Sequence, residues 1–190
     1  MPSGHPHAPP LVVQQWLNTE APITLDALRG RVVMLHAFQM LCPGCVSHGL
    51  PQAAKAHEMF RRSDLAVIGL HTVFEHHAVT GAEALKAFVH EYRLQFPIGI
   101  DTPGAGSGPI PLTMQAYELG GTPSVVLIDR QGRVRLNQLG RVDDLALGAL
   151  IGELIAEGDA RSRRPAGAAT QTEDDVADDS TACDGDACTA

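Results

Sequence analysis

Two cysteines two residues apart, in Cys42-Pro43-Gly44-Cys45, constrain this chain more than any other stretch. An apolar run from Val32 to Phe38 precedes them and reads as a buried strand; residues 43–62 read as a helix. A C-x-x-C pair at a strand-to-helix junction points to dithiol–disulfide chemistry. The reason is electrostatic. A cysteine at a helix start faces unpaired backbone N–H groups and the positive end of the helix dipole. Both favour thiolate over thiol, so Cys42 is the expected nucleophile. Pro43 suits the first helical position, where a missing N–H leaves nothing unpaired. Gly44 lets a partner backbone come close. Cys45 falls one turn on, within reach of a mixed disulfide formed on Cys42. Two other readings compete. The pair can be half of a zinc site, normally completed by a second C-x-x-C or a histidine pair, or it can be coincidence.

A chain of 190 residues suggests one domain with additions. Its hydrophobic fraction of 44% is enough for a sizeable core. The formal net charge of −8 is uneven: residues 1–158 hold 14 acids and 11 bases, residues 159–190 hold 8 and 3. The part expected to fold is nearly balanced, with no basic stripe to suit a nucleic acid. No apolar stretch approaches the roughly 18 residues of a membrane span. The first ten residues lack a basic segment followed by an apolar run, so the expected location is the cytoplasm. Thiols are kept reduced there, which favours a catalytic C-x-x-C over a structural staple.

Along the chain, residues 1–10 are rich in Pro and His and are expected to be a disordered arm. Residues 11–17 and 22–25 read as short strands, and residues 24–30 as a turn ending on Gly30. In the helix after the cysteines, Val46, Ala53, Ala56 and Phe60 share a face, and Pro51 should kink it. Residues 65–73 read as a buried parallel strand, 81–94 as a helix and 96–100 as a short strand. A loop at 101–111, a short helix at 112–119 and a strand at 124–128 follow. Asp129-Arg130-Gln131-Gly132 turns into a return strand at 133–139. A last helix spans 143–157, with Leu145, Leu147, Leu150, Ile151 and Leu154 toward the core. The opening βαβ implies parallel strands with a right-handed crossover, and the hairpin makes the sheet mixed. The class is α/β, a central mixed sheet flanked by helices, with Cys42 at the carboxyl end of a central strand.

Four segments occur in order: Cys42-Pro43-Gly44-Cys45 after a strand, Val67-Ile68-Gly69-Leu70-His71, Gly121-Thr122-Pro123 before a strand, and the Asp129-Arg130-Gln131-Gly132 turn. Together they resemble the thioredoxin-like fold over residues 22–157. The similarity is to its TlpA-like and AhpC/TSA-like branch, and within that to DipZ-type thioredoxin-like domains. The domain so implied is residues 11–157. The resemblance implies a thiol–disulfide oxidoreductase with Cys42 as nucleophile and Cys45 as resolving cysteine, and no cofactor. It implies a cis Pro123 facing the dithiol, with Thr122 presenting its backbone to a substrate chain as a short β-like pairing. An ordinary trans proline opening a strand is the plainer alternative. Thioredoxins carry a buried acid six residues before the first cysteine, and TlpA-like proteins often carry Asn. His36 stands there, as a candidate proton acceptor for Cys45, or as a satisfied core histidine. Leu41 replaces the usual Trp, His48 an often-seen Glu, and Pro51 falls one position late.

The implied substrates are protein or small-molecule disulfides. The implied electron donor is of thioredoxin or glutathione type, since no nucleotide-binding glycine motif is present. A peroxidase is the enzymatic alternative. Its signature wants Pro seven and Thr or Ser three residues before the cysteine, where Leu35 and Gln39 stand. A copper- or zinc-binding chaperone on the same scaffold is a different class. From Gly158 onward an aperiodic, Ala- and Asp-rich sequence reads as a disordered acidic tail. It carries Cys183 and Cys188, candidates for a redox relay with Cys42–Cys45, with soft-metal capture or inert thiols as alternatives. About 30 residues of coil span about 30 Å, enough to reach back. His71, Glu75, His76 and His77 form a His-rich stretch that could bind a metal, shape the active-site mouth or stay a solvated loop; adjacent histidines at a strand end usually diverge, so no metal ligand is assigned.

Overall fold

The strand from Val32 to Phe38 (β2) is buried at all seven positions. Its side chains alternate between two cores, as a strand covered on both faces requires. Val32, Met34 and Phe38 enter one core; Val33, Leu35 and Ala37 enter the other. His36 therefore points to the first face. The structure, a computed structural model, describes residues 4–105 and 110–163.

The other strands are β1 (Val13–Leu17), β3 (Leu65–His71), β4 (Ile98–Asp101), β5 (Ser124–Ile128) and β6 (Val134–Leu139). They form one sheet in the order β1-β4-β3-β2-β5-β6. β3 runs parallel to β2 and β4 parallel to β3; the β1–β4, β2–β5 and β5–β6 pairs are antiparallel. The sheet is mixed, as expected. The helices are α1 (Leu50–Met59), α2 (Ala82–Glu91), α3 (Leu112–Ala116) and α4 (Asp144–Arg163). Leu50 and Ala53 of α1, Leu85 of α2, and Leu147, Ile151 and Leu154 of α4 cover the His36 face. Leu28, Met114 and Tyr117 help cover the other.

The helix after the cysteines does not run unbroken with a kink at Pro51. A wide π turn spans Cys45–Gly49, and its last bond runs from the Leu50 N–H to the Cys45 carbonyl. Pro51 then sits in the first turn of α1. In a continuous α-helix its ring would press on the Ser47 carbonyl, which would also lose its donor. One wide turn removes that demand.

Residues 22–25 form no strand; a 3-10 turn at Asp26–Leu28 follows them instead. Leu145 is 84% exposed rather than part of the core. The N-terminal segment is not the expected disordered arm where it is described. The Val134 N–H donates to the Pro6 carbonyl (2.9 Å) and the Ala8 N–H to Gly132 (2.9 Å). The Tyr117 hydroxyl donates to the Pro9 carbonyl at 2.8 Å. The chain thus supplies partners to the start of an edge strand that would otherwise expose them.

Asp101, at the end of β4, anchors the short α3. Its carboxylate accepts the N–H groups of Thr113 (2.9 Å) and Met114 (3.0 Å) and the Thr72 hydroxyl (3.0 Å). These two N–H groups belong to a helix start and have no partner within the helix. Asp101→Ala strands them in a buried site, so it is expected to lower stability by about 3 kcal/mol. The urea midpoint would show it; a midpoint within error of wild type would refute the anchoring role.

Candidate active site

Three strand ends meet at one pole of the sheet. Phe38, ending β2, pairs with His71, ending the parallel β3. β5 runs the other way, so its first residue, Ser124, lies beside Ala37. The chain leaving β2 and the chain entering β5 are therefore forced together. The first carries Cys42 and Cys45; the second carries Thr122 and Pro123.

The loop after β2 closes on itself. The Cys42 N–H donates to the Gln39 carbonyl, and the Val46 N–H to the Cys42 carbonyl, both at 3.1 Å. Cys42 is half-buried and Cys45 fully buried, and both are free thiols. The Cys45 N–H points at the Cys42 sulfur at 3.3 Å, an oriented donor of the kind that steadies a thiolate. The same sulfur lies 3.5 Å from the Thr122 carbonyl. Burial pushes the Cys45 thiol up to about 12, with the Cys42 hydrogen bond adding to the shift. The two cysteines are thus unequal: one reachable, the other held protonated behind it.

The Thr122–Pro123 peptide bond is cis, as the resemblance implies. Gly44 and Gly49 both make room for Pro123: a Cβ on either would lie 3.3 Å from the proline ring. Gly49 also makes room for His36. A Cβ there would sit 2.4 Å from the His36 Cε1 and 2.6 Å from its Nε2. His36 is fully buried, and neither ring nitrogen has a hydrogen-bond partner. Burial, then the nearby His48, lowers its pKa to about 4. It is a buried, uncharged imidazole beneath the turn that carries Cys45, not a satisfied core histidine.

Three braces hold this arrangement. His71, buried at the end of β3, accepts the Met40 N–H on Nε2 at 3.4 Å. That bond places its own proton on Nδ1, which has no partner. Burial lowers the His71 pKa to about 4. Gln39, 3% exposed, accepts the Phe74 N–H and donates to a Glu75 carboxylate oxygen, both at 3.4 Å. His48 Nε2 (3.1 Å) and Gln52 Nε2 (2.9 Å) both meet the Val142 carbonyl, just before α4. Beside the Cys42 sulfur a cavity of about 230 Å³ opens between Gln39, Phe74, Glu75, His76, Thr80 and Thr122.

Of the residues singled out from sequence, Cys42, Cys45, Thr122, Pro123 and His36 gather at this pole. His71, Glu75, His76 and His77 do not form a ligand set: among the described residues no three His, Cys, Asp or Glu side chains are placed to hold a metal ion. Cys183 and Cys188 lie outside the described residues. Sequence reasoning missed Gln39 as a brace and Gly49 as the space for His36. Position alone hinted at both: Gln39 is three residues before Cys42, and Gly49 is four after Cys45.

The AhpC/TSA family profile matches residues 6–137. The chain belongs to the AhpC/TSA family. Protein DipZ of Mycobacterium tuberculosis is 30% identical over 162 residues, covering 84% of this chain and 22% of that protein. NHL repeat-containing protein 2 of Gallus gallus is 29% identical over 129 residues, 66% of this chain and 16% of that one. The chain thus spans about a fifth of the length of the curated relatives it matches. Among solved structures, a thioredoxin-like superfamily protein is 52% identical, with a TM-score of 0.76 and coverage of 78% and 96%. A thiol-disulfide isomerase from Corynebacterium glutamicum is 52% identical, with a TM-score of 0.75 and coverage of 78% and 97%. The fold of this AhpC/TSA-family chain is thioredoxin-like.

Proposed function

We propose that this chain is a thiol–disulfide oxidoreductase in which Cys42 attacks and Cys45 resolves. One observation carries the reading: a half-buried Cys42 sulfur receives the Cys45 N–H at 3.3 Å and faces the Thr122 carbonyl, with Cys45 buried one turn behind. The similarity to a thiol-disulfide isomerase at 52% identity supports it.

The Cys42 thiolate attacks one sulfur of a substrate disulfide. That S–S bond breaks, its second sulfur leaves as a thiolate, and a mixed disulfide remains on Cys42. Cys45 loses its proton and attacks the Cys42 sulfur, which releases the second substrate thiol. Two electrons have passed to the substrate, and Cys42–Cys45 is now a disulfide. An external dithiol of thioredoxin or glutathione type restores it. Substrate chains pair with the backbone at Thr122, beside Pro123. The reductive direction goes with a cytoplasmic setting, which forms part of the proposal.

The Cys45 proton is the difficult one. In the resting dithiol the Cys45 value near 12 and the His36 value near 4 make direct transfer strongly uphill. In the mixed disulfide Cys42 carries no charge, so its share of the Cys45 shift disappears. The buried, unpartnered His36 imidazole beneath the turn that carries Cys45 is then the candidate acceptor, and that role belongs to this stage alone. His36→Ala is expected to slow resolution while leaving Cys42 attack unchanged; equal resolution rates would end this role.

Wild type is expected to reduce insulin with dithiothreitol as donor and to leave hydrogen peroxide at background consumption. Peroxide consumption with insulin untouched would assign a peroxidase instead, and inactivity in both would return the cysteines to a metal-ligand reading. A truncation after Arg163, run alongside, reads whether Cys183 and Cys188 contribute as a relay.

A further inference from the structure

The cavity beside Cys42 is where the part of a substrate next to the scissile sulfur must sit. Its walls mix polar groups with Leu41, Pro43 and Phe74. Alongside the reacting Cys42, Glu75 is the one Asp or Glu among the residues that line it. No lysine or arginine lines the cavity to neutralise it.

The Glu75 carboxylate is held rather than loose. Gln39 donates to it at 3.4 Å, and Gln39 itself is 3% exposed, so the brace comes from inside the protein. The same amide fixes the Phe74 N–H. The loop beyond is tied at His76, whose carbonyl accepts the Thr80 hydroxyl (3.0 Å) and the Val79 N–H (3.0 Å). Thr80 is buried. His76 adopts a φ of 56°, a left-handed value that these two bonds stabilise. A carboxylate with one partner already in place loses less side-chain freedom on meeting a ligand.

We propose that this cavity selects disulfides carrying a positive charge beside the scissile sulfur, with Glu75 as the specificity-determining residue. The proposal rests on the oxidoreductase reading. The suited substrates are aminothiol disulfides, or cystines flanked by Lys or Arg. Glu75 is solvent-exposed, so the effect is modest: about threefold for each unit of charge on the substrate half that faces the cavity, at low salt, falling as salt rises.

The test uses three small disulfides of similar size: cystamine, bis(2-hydroxyethyl) disulfide and 3,3′-dithiodipropionate, which are cationic, neutral and anionic. Rates are measured at about pH 8, above the ordinary imidazole range. Each rate is divided by that of a free small thiolate with the same disulfide, which removes intrinsic reactivity. The Cys42 thiolate also attracts cations, and the Glu75 variants isolate the carboxylate from it. Wild type is expected to prefer the cationic over the anionic disulfide by about tenfold after that correction. Read as the ratio of cationic to anionic rates within each variant, the preference is expected to fall to about threefold or less in Glu75→Gln and to invert in Glu75→Lys. An unchanged preference in Glu75→Gln would overturn the proposal while leaving the oxidoreductase reading intact. If the neutral disulfide is not reduced at all, the oxidoreductase reading falls and takes this one with it.

Discussion

Serine at position 42 is expected to lower insulin reduction by about a thousandfold or more, whereas serine at position 45 stops the reaction one step later. A serine hydroxyl fits the Cys42 site but does not ionise near neutral pH, so no nucleophile replaces the thiolate. Cys45 cannot take over. It is fully buried, and its thiol is pushed up to about 12. In Cys45→Ser the backbone N–H that points at the Cys42 sulfur from 3.3 Å is retained. Cys42 therefore still attacks, but the mixed disulfide finds no resolving thiol and accumulates. Intact-mass spectrometry should show protein plus one substrate half in Cys45→Ser and unmodified protein in Cys42→Ser. Turnover by Cys42→Ser near the wild-type rate would remove Cys42 from the role.

The parts legible in the sequence were those written locally. The apolar run of β2 located the central strand, and the cysteines placed its carboxyl end. Gly121-Thr122-Pro123 before a second apolar run located β5. The antiparallel pairing of these strands then brings the two loops together. What stayed hidden depends on contacts between distant residues. Gln39 and Glu75 are 36 residues apart, and neither one's spacing reveals the other. The fit of His36 against Gly49 crosses from the sheet to the helix layer above it. Pro51 predicted a kink because a mid-helix proline usually makes one; the wide turn just before it is a tertiary solution with no local signature. Leu145 has the right period for the core, yet it stands exposed beside a groove shared with the equally exposed Met59. Periodicity says which residues can be buried together, not which of them a partner element reaches.

Acid is expected to destabilise this protein from beneath its active site. His36 and His71 are both buried, and burial lowers both from the ordinary 6.5 to about 4, His48 adding to the effect at His36. The unfolded chain protonates them near the ordinary value. Below about pH 6.5 the unfolded state therefore binds protons that the folded state refuses, and stability falls with pH until about pH 4. Each histidine removes about 3 kcal/mol across that window. The pair together rivals the whole stability of a typical domain, about 5–15 kcal/mol. Asp101 works the other way: burial raises its carboxyl, against the hydrogen bonds that lower it, so its protonation on acidification favours the folded state. Variants separate the contributions. His36→Asn and His71→Gln are each expected to remove a large part of the loss in urea midpoint between neutral pH and about pH 4, with buried His57, also lowered by burial, supplying a further share. A midpoint flat across the window in wild type would sink the argument. The two histidines differ in what they release. His36 has no partner to lose, so its protonation acts on packing against Gly49 and Pro123. His71 protonation removes the acceptor of the Met40 N–H. The loop before Cys42 then loses that anchor as pH falls toward about 4. In His71→Gln the amide oxygen can still accept that N–H, so the anchor should survive acid.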